Sequence, residues 1–279
     1  MTYRELYLQG KNCLASAGID FPGFDAAALA EQFLGLDRPA LAVRGEESPP
    51  PKAEKAYLRA VAQRAERRPL QYILGSWPFM GLRLHVGEGV LVPREDTAVL
   101  VEALASRLDT LSPQGLDLCA GTGAVALGLC SLIPGTRMAC VELDSLAQGF
   151  LRENLAAYPQ FQVQLVQGDV LAGPKSFPGG LDFIAANPPY IPTGQLSSLQ
   201  PEVRREPALA LDGGEDGLIF YRAIVRRWTP LLRPGGLLGV EIGETQAKDV
   251  AALFSAQGLL DIQVLQDLSG LDRVVLAQK

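Results

Sequence analysis

The chain has 279 residues, a net charge of −6, 48% hydrophobic and 20% charged residues, a balance that excludes a disordered chain and suits a soluble globular protein of two domains. No apolar run reaches the ~18 residues of a membrane span, and the polar, amphipathic start MTYRELYLQGKNC does not read as a secretory signal. The acidic balance also argues against the broad basic face of a duplex-DNA binder.

The first ~75 residues read as helical by their apolar spacing. Thr2-x-x-Glu5 forms a capping box ahead of Leu6, Tyr7 and Leu14. Asp25 is placed to cap a second helix, AAALAEQFL, that stops at Gly35. Ser48-Pro49-Pro50-Pro51 is a break, and Lys52 to Arg68 is a third helix, with Tyr57, Leu58 and Val61 opposite its charges. A solvated face packed on a small bundle is the simpler reading of those charges; a binding face is the alternative. Between Gly75 and Pro93 the period changes to two, with turn residues at Gly81 and Gly87-Glu88-Gly89, which predicts a β-hairpin linker over 76–92.

From residue 93 strands and helices alternate. Strands are expected at Gly115–Cys119, Arg137–Val141, Gln162–Val166, Leu181–Ala186, Leu237–Glu241, Ile262–Gln266 and Arg273–Ala277. Helices are expected at Ala124–Ile133, at Ser145–Tyr158 behind an Asp144 cap, and near 217–232 and 245–257. The fold class is therefore α/β: a mostly parallel, Rossmann-like sheet with helices on both faces, behind a small N-terminal helical domain. Ligands in such sheets bind at the carboxyl ends of strands.

Three of those strand ends carry binding signals. Asp117-x-Cys119-x-Gly121-Thr122-Gly123 sits where a strand turns into a helix, so its glycines allow close backbone approach and the helix start offers free N–H groups. The dinucleotide fingerprint and the phosphate loop are both unmatched there. Glu142, about twenty residues on, ends the second strand, where a carboxylate accepts ribose hydroxyls. Asp169 follows the third strand and is placed to face an adenine edge. Alone, each acid reads as a solvated loop residue; together they mark a nucleoside site. After the fourth strand comes Asn187-Pro188-Pro189-Tyr190. Two prolines fix that backbone, leaving the Asn187 carboxamide and Pro188 carbonyl as rigid partners and Tyr190 as a flat wall. Such a cradle suits a planar amide or an aromatic amine.

The four cysteines form no CxxC pair and read as buried free thiols of a reducing compartment. His85, the sole histidine, lies in the alternating stretch Leu82–Val86 and reads as a strand-face residue, so neither a His/Cys metal site nor a Ser-His-Asp triad is expected.

These motifs make the chain similar to the protein-(glutamine-N5) methyltransferases that modify class I peptide chain release factors, the HemK/PrmC family. The likeness runs from about residue 70 to the C-terminus. It includes Gln71-Tyr72-Ile73-Leu74-Gly75, Phe79, Val90-Leu-Val-Pro93-Arg94-Glu95-Asp96-Thr97 and the DLCAGTG turn, then NPPYI, Glu206-Pro207-Ala-Leu-Ala-Leu-Asp212-Gly213-Gly214, Glu241-Ile242-Gly243 and Asp267-Leu-Ser-Gly270-Leu-Asp272-Arg273. The N-terminal helices match the family's small helical domain only in position and pattern. Cys119, Glu95 and Ala98 depart from the family pattern.

The resemblance implies an S-adenosyl-L-methionine (SAM)-dependent enzyme of the cytoplasm whose protein substrates are class I release factors, with no membrane or direct nucleic-acid partner. It implies that residues 1–75 recognise substrate and 93–279 form the catalytic domain. It places cofactor on Gly121, Thr122, Gly123, Glu142, Asp169 and Asn187. Substrate would lie on Phe79, Asn187, Pro188, Pro189 and Tyr190, with Asn187, Pro188 and Tyr190 catalytic. A nucleic-acid adenine-N6 methyltransferase and a ribosomal-protein glutamine methyltransferase are the alternatives that share NPPY.

Overall fold

In the computed structural model, which describes residues 1–175 and 177–279, the change of periodicity coincides with a division into two compact units. One comprises Met1–Ser76 with Gln200–Arg205; the other comprises Trp77–Leu199 with Glu206–Lys279.

The first unit is built from α1 (Tyr3–Ser16), α2 (Pro22–Leu34), α3 (Arg38–Arg44), α4 (Pro51–Ala65) and α5 (Leu70–Leu74). The Thr2–Glu5 capping box forms in both directions. Helix α2 begins earlier than its apolar run, because Pro22 at its first turn is pre-set for helical φ and needs no N–H partner. Asp25 therefore lies inside the first turn and caps nothing: its Oδ2 accepts from Arg64 Nε at 2.6 Å. Arg64 also donates from Nη1 to Glu202 Oε1 at 2.8 Å, and Arg67 Nη1 reaches the same oxygen at 3.1 Å. A buried guanidinium needs such partners to offset its desolvation, and this triad ties Gln200–Arg205 into the unit. Arg64 thus belongs to the buried side of α4 with Tyr57, Ala60 and Val61, not to the solvated face expected from its charge. Helix α3, only 7 residues long, is too short to show a period.

The second unit opens with a two-stranded hairpin, β1 (Ser76–Phe79) and β2 (Leu82–His85). The hairpin strands from Trp77 on belong to this unit, with Phe79 and Met80 packed beside Gly128. After α6 (Thr97–Ala105) come β3 (Gln114–Leu118), α7 (Ala124–Leu132), β4 (Arg137–Glu142), α8 (Ser145–Ala157), β5 (Gln162–Gln167) and β6 (Leu181–Ala186). The chain closes with α9 (Ile219–Ala223), β7 (Leu232–Glu241), α10 (Ala247–Ala256), β8 (Leu260–Gln266) and β9 (Asp272–Gln278). Their order in the sheet is β5-β4-β3-β6-β7-β9-β8. The strands from β5 to β7 run parallel, and β9 is antiparallel to both neighbours.

Alternate residues of the central strands feed two cores, as a sheet covered on both faces requires. Leu116, Leu118, Ile184, Ala186, Leu238 and Val240 face one core with Tyr221, Trp228 and Phe254. Phe183, Ala185, Leu237, Val274 and Leu276 face the other with α6 and α7. The helix expected over 217–232 is broken: a π turn at Ile224–Trp228 and a 3-10 turn at Thr229–Leu231 follow α9, because Pro230 cannot donate to a continuing helix. Helix α6, like the first five residues of β7, has no counterpart in the sequence reading.

Candidate active site

The parallel register sets one row across the strand ends. Leu118 pairs with both Val141 and Ala186, Ala186 pairs with Val240, and Glu142 pairs with Gln167. One residue further along, Glu142, Cys119, Asn187 and Glu241 stand side by side in adjacent strands. Strand order reverses between β3 and β6, and the crevice outside that point is where such sheets bind ligands. A cleft opens there, lined by Val90–Arg94, Thr97, Gly121, Thr122, Glu142, Asp169, Asn187, Pro189, Leu209 and Phe220 among others.

On the β4 side of the cleft the Glu142 carboxylate accepts two backbone donors. Gly121 N–H reaches Oε2 at 2.8 Å and Asp144 N–H reaches Oε1 at 2.9 Å. Burial raises its pKa and those backbone donors oppose the rise. Each oxygen keeps a second lone pair, so Glu142 can hold a vicinal diol while it holds the turn. Gly121 has φ +55°, and a Cβ there would meet nothing nearer than Val90 Cγ2 at 3.8 Å; the opening above the turn accepts a flat ligand. Asp169 spends Oδ1 on Leu171 N–H at 2.8 Å. The diol acceptor, the open glycine turn and the apolar walls of Val90, Leu143 and Phe220 fit a nucleoside cofactor such as SAM.

Beneath the turn Asp117 is 1% exposed and accepts from Ala126 N–H at 3.1 Å. Burial, helped by the nearby Glu142 charge, pushes its pKa up to about 8 against that hydrogen bond. Cys119 adopts φ +60°, a left-handed conformation that favours glycine, and burial raises its thiol pKa well above the usual range. Asn154 ties the turn to the hairpin, donating to the Thr122 and His85 carbonyls and accepting from His85 N–H. His85 is exposed at the end of β2 and serves through its backbone.

On the β7 side, Asn187 Nδ2 donates to Thr97 Oγ1 at 3.2 Å, and Thr97 Oγ1 donates to Glu241 Oε2 at 2.6 Å. The Tyr190 hydroxyl lies 3.4 Å from Glu241 Oε1, and Tyr221 donates to the Glu241 carbonyl at 2.9 Å. Burial pushes Glu241 up to about 7, opposed by the Thr97 hydrogen bond and the Arg273 charge. Glu206, almost fully buried, accepts from Val92 N–H and pairs with Arg94, and so holds the Val90–Arg94 wall against the Pro207–Ala210 turn.

Of the residues proposed from the sequence, Gly121, Thr122, Glu142, Asp169, Asn187 and Pro189 line the cleft. Gly123 lies under it: with φ +82° and Leu151 Cδ1 only 2.6 Å from where a Cβ would sit, it is a packing glycine. Pro188 is buried and Tyr190 packs at the rim of the core with its hydroxyl on Glu241. Phe79 is a correction. It is 4% exposed, packs beside Gly128 in the α6–α7 core and is not among the cleft-lining residues. Leu209 and Phe220 are among the apolar residues that do line the cleft. Thr97, Glu206 and Glu241 entered the reading only as letters of matched motifs, with no role. The cysteines are all free, but Cys13 is exposed on the polar side of α1 rather than buried. Among the described residues no acidic, His or Cys cluster could hold a metal, and no helix is long and apolar enough to cross a membrane.

The family model for the PrmC N-terminal domain matches residues 5–75, and that for the methyltransferase small domain matches 94–202. A release factor glutamine methyltransferase of Moorella thermoacetica is 41% identical, with 100% of this chain and 99% of that protein covered. Its counterpart in Geobacter sulfurreducens is 40% identical over 98% and 95% of the two chains. Among solved structures, the hMettl16 catalytic domain in complex with the MAT2A 3'UTR hairpin 6 has a TM-score of 0.57 at 12% identity, covering 81% of each chain. The T. thermophilus 16S rRNA N2 methyltransferase RsmC, in complex with AdoMet and guanosine, has a TM-score of 0.52 at 24% identity, covering 73% of this chain and 49% of that one. The two structures share the methyltransferase fold.

Proposed function

This chain belongs to the family of release factor glutamine methyltransferases, and we propose that its cleft joins SAM to the side-chain amide nitrogen of a glutamine in a class I release factor. SAM, when bound, supplies a methyl already activated by its sulfonium. Glu142 would hold the ribose hydroxyls, Asp169 the adenine edge, and the Gly121–Thr122 turn the remainder. The observation that supports the reading is that Glu142 and Asn187 stand in one row of strand ends, on β4 and β6 to either side of β3, where a ribose partner and an amide partner would face one cleft.

A glutamine nitrogen is a poor nucleophile because its lone pair is shared with the carbonyl. Asn187 and the Pro188 carbonyl would bind its N–H groups and turn the nitrogen face toward the activated carbon, so the gain is mostly positional. Leu209, Phe220 and Pro189 would exclude water. No strong base is needed, because the proton leaves after transfer. Selection of one glutamine among many requires a wider surface than this cradle. We assign that surface to the helical unit, residues 1–75, with the charged side of α4 as one candidate face. A cytoplasmic location goes with such a substrate.

Incubation with labelled SAM and three acceptors, a release factor, a ribosomal protein and DNA, tests the reading. Label should enter a glutamine of the release factor; label in either other acceptor alone would overturn it.

A further inference from the structure

The Asn187 carboxamide could present either edge to the cleft, and only one edge suits an amide that must be held by its N–H groups. The hydrogen-bond chain behind it decides which. Thr97 opens α6, and its hydroxyl has one proton, which goes to Glu241 Oε2 at 2.6 Å. The same oxygen then has only lone pairs to offer Asn187, so the Asn187 NH₂ must face it, as the 3.2 Å contact records. The Asn187 oxygen is thereby turned away from Thr97 and made available as an acceptor. The Glu241 carboxylate also faces the Tyr190 hydroxyl after β6, the Arg273 charge from β9, which is paired with Asp267, and the like charge of Asp96 just ahead of α6, while Tyr221 of α9 donates to its backbone carbonyl. Thr97 is 3% exposed and Glu241 1% exposed, so the bond between them is not shared with bulk water.

We propose that Thr97 and Glu241 are positioning residues for methyl transfer: their hydrogen-bond chain locks the flip state of the Asn187 carboxamide so that its oxygen faces the substrate amide. The inference rests on the reading of Asn187 as the amide cradle. A simple structural role would make Thr97 matter for stability and leave turnover by the folded enzyme untouched.

The test compares full-length wild type with Thr97→Val, Thr97→Ser, Asn187→Ala and the Thr97→Val/Asn187→Ala double variant, at about pH 8 where Glu241 is ionised. Thr97→Val should lower kcat on intact release factor by about 10-fold, through misorientation of the reacting pair. KM for the release factor and the calorimetric Kd for SAM should stay within a few-fold. Thr97→Ser, which keeps the hydroxyl, should restore most of kcat. In the Asn187→Ala background the same Thr97→Val change should cost nothing further, since both act through one group. Independently of turnover, the Asn187 side-chain amide resonances should move in Thr97→Val and stay near their wild-type positions in Thr97→Ser. If Thr97→Val does not fold, Thr97→Ala takes its place in each arm. Wild-type kcat in the hydroxyl-free variant while Asn187→Ala is inactive would overturn this inference alone. Equal failure of the Val and Ser variants, or losses that multiply in the double variant, would overturn it too. An active Asn187→Ala would instead remove the amide-cradle reading on which it stands.

Discussion

Gly121 N–H and Glu142 Oε2 lie 2.8 Å apart across 21 residues of chain, so the acid assigned to the ribose also holds the glycine turn. Removing the carboxylate would take away the two ribose hydrogen bonds proposed for it together with this brace. Glu142→Ala is expected to weaken SAM binding by about 2–3 kcal/mol, the worth of two partly charge-assisted hydrogen bonds. Isothermal titration calorimetry reads this directly, and an unchanged Kd would remove Glu142 from the cofactor site.

Asp117 gives a pH signature. Its folded pKa of about 8 stands above the ordinary 3.8, so the folded state keeps a proton that the unfolded chain releases. Between those two values the folded state binds more protons, and stability falls as pH rises through the window. Above about 8 the penalty is complete; below 3.8 it is absent. Asp117→Asn keeps an acceptor for Ala126 N–H and cannot ionise. Its Tm relative to wild type should therefore climb from acid to mildly alkaline pH and then level off. A constant Tm difference across that range would show that Asp117 is ionised throughout.

Cys119, at φ +60°, inverts an ordinary preference. Glycine normally costs stability against alanine, but a left-handed residue with a Cβ carries a strain of about 1–2 kcal/mol. Both Cys119→Gly and Cys119→Ala remove the thiol, and only the first removes the strain. The glycine variant should be the more stable of the two by about 1 kcal/mol in urea unfolding; the reverse order would mean that the turn is not strained.

In the helical unit Arg64 bridges Asp25 and Glu202. Arg64→Ala leaves buried Asp25 without its cation and Glu202 with Arg67 alone, and should cost about 3–5 kcal/mol. Replacing the buried pair together, Arg64→Met with Asp25→Leu, should recover most of that loss, because the desolvation penalty goes with the charges. A single variant within 1 kcal/mol of wild type in denaturant unfolding, below the ~3 kcal/mol floor of a broken buried pair, would mean that water already reaches this site.

Much of the cleft was legible because its signals are local. A short apolar run followed by a glycine turn marks a strand end, as at Leu118–Gly123, and a fixed Asn-Pro-Pro-Tyr marks a rigid one; the parallel sheet then lines such ends up. What escaped the sequence is what depends on register and on contacts between distant residues. Thr97 meets Glu241 across 144 residues, and Arg64 meets Glu202 across 138. Neither pair leaves a spacing that a periodicity can reveal. Asp25 has the composition of a cap and the position of a buried ion-pair partner, and only the Pro22 start separates the two. Motif membership does not say which core a strand residue faces, and the hairpin packs Phe79 beside Gly128.

Asn187 carries the sharpest prediction. One of its N–H groups is engaged by Thr97, so its oxygen is the group left to receive the substrate amide, with its second N–H beside it. Alanine removes both and lets the substrate amide rotate. Aspartate keeps the size but loses the donor that Thr97 accepts, and it sets a negative charge against the oxygen of Thr97 and close to buried Glu241. It therefore disturbs the flip lock as well as the cradle. Misplacement of reacting atoms by ~1 Å costs about 100-fold. The acids assigned to the cofactor stand at other strand ends, on β4 and β5. Asn187→Ala and Asn187→Asp should therefore both fold and bind SAM within a few-fold of wild type, yet lose at least about 100-fold in methyl transfer to intact release factor. Circular dichroism, calorimetry and single-turnover transfer of labelled methyl separate the three properties. Near wild-type transfer by either variant would reduce Asn187 to a turn residue and leave the cleft without a group to orient its amide.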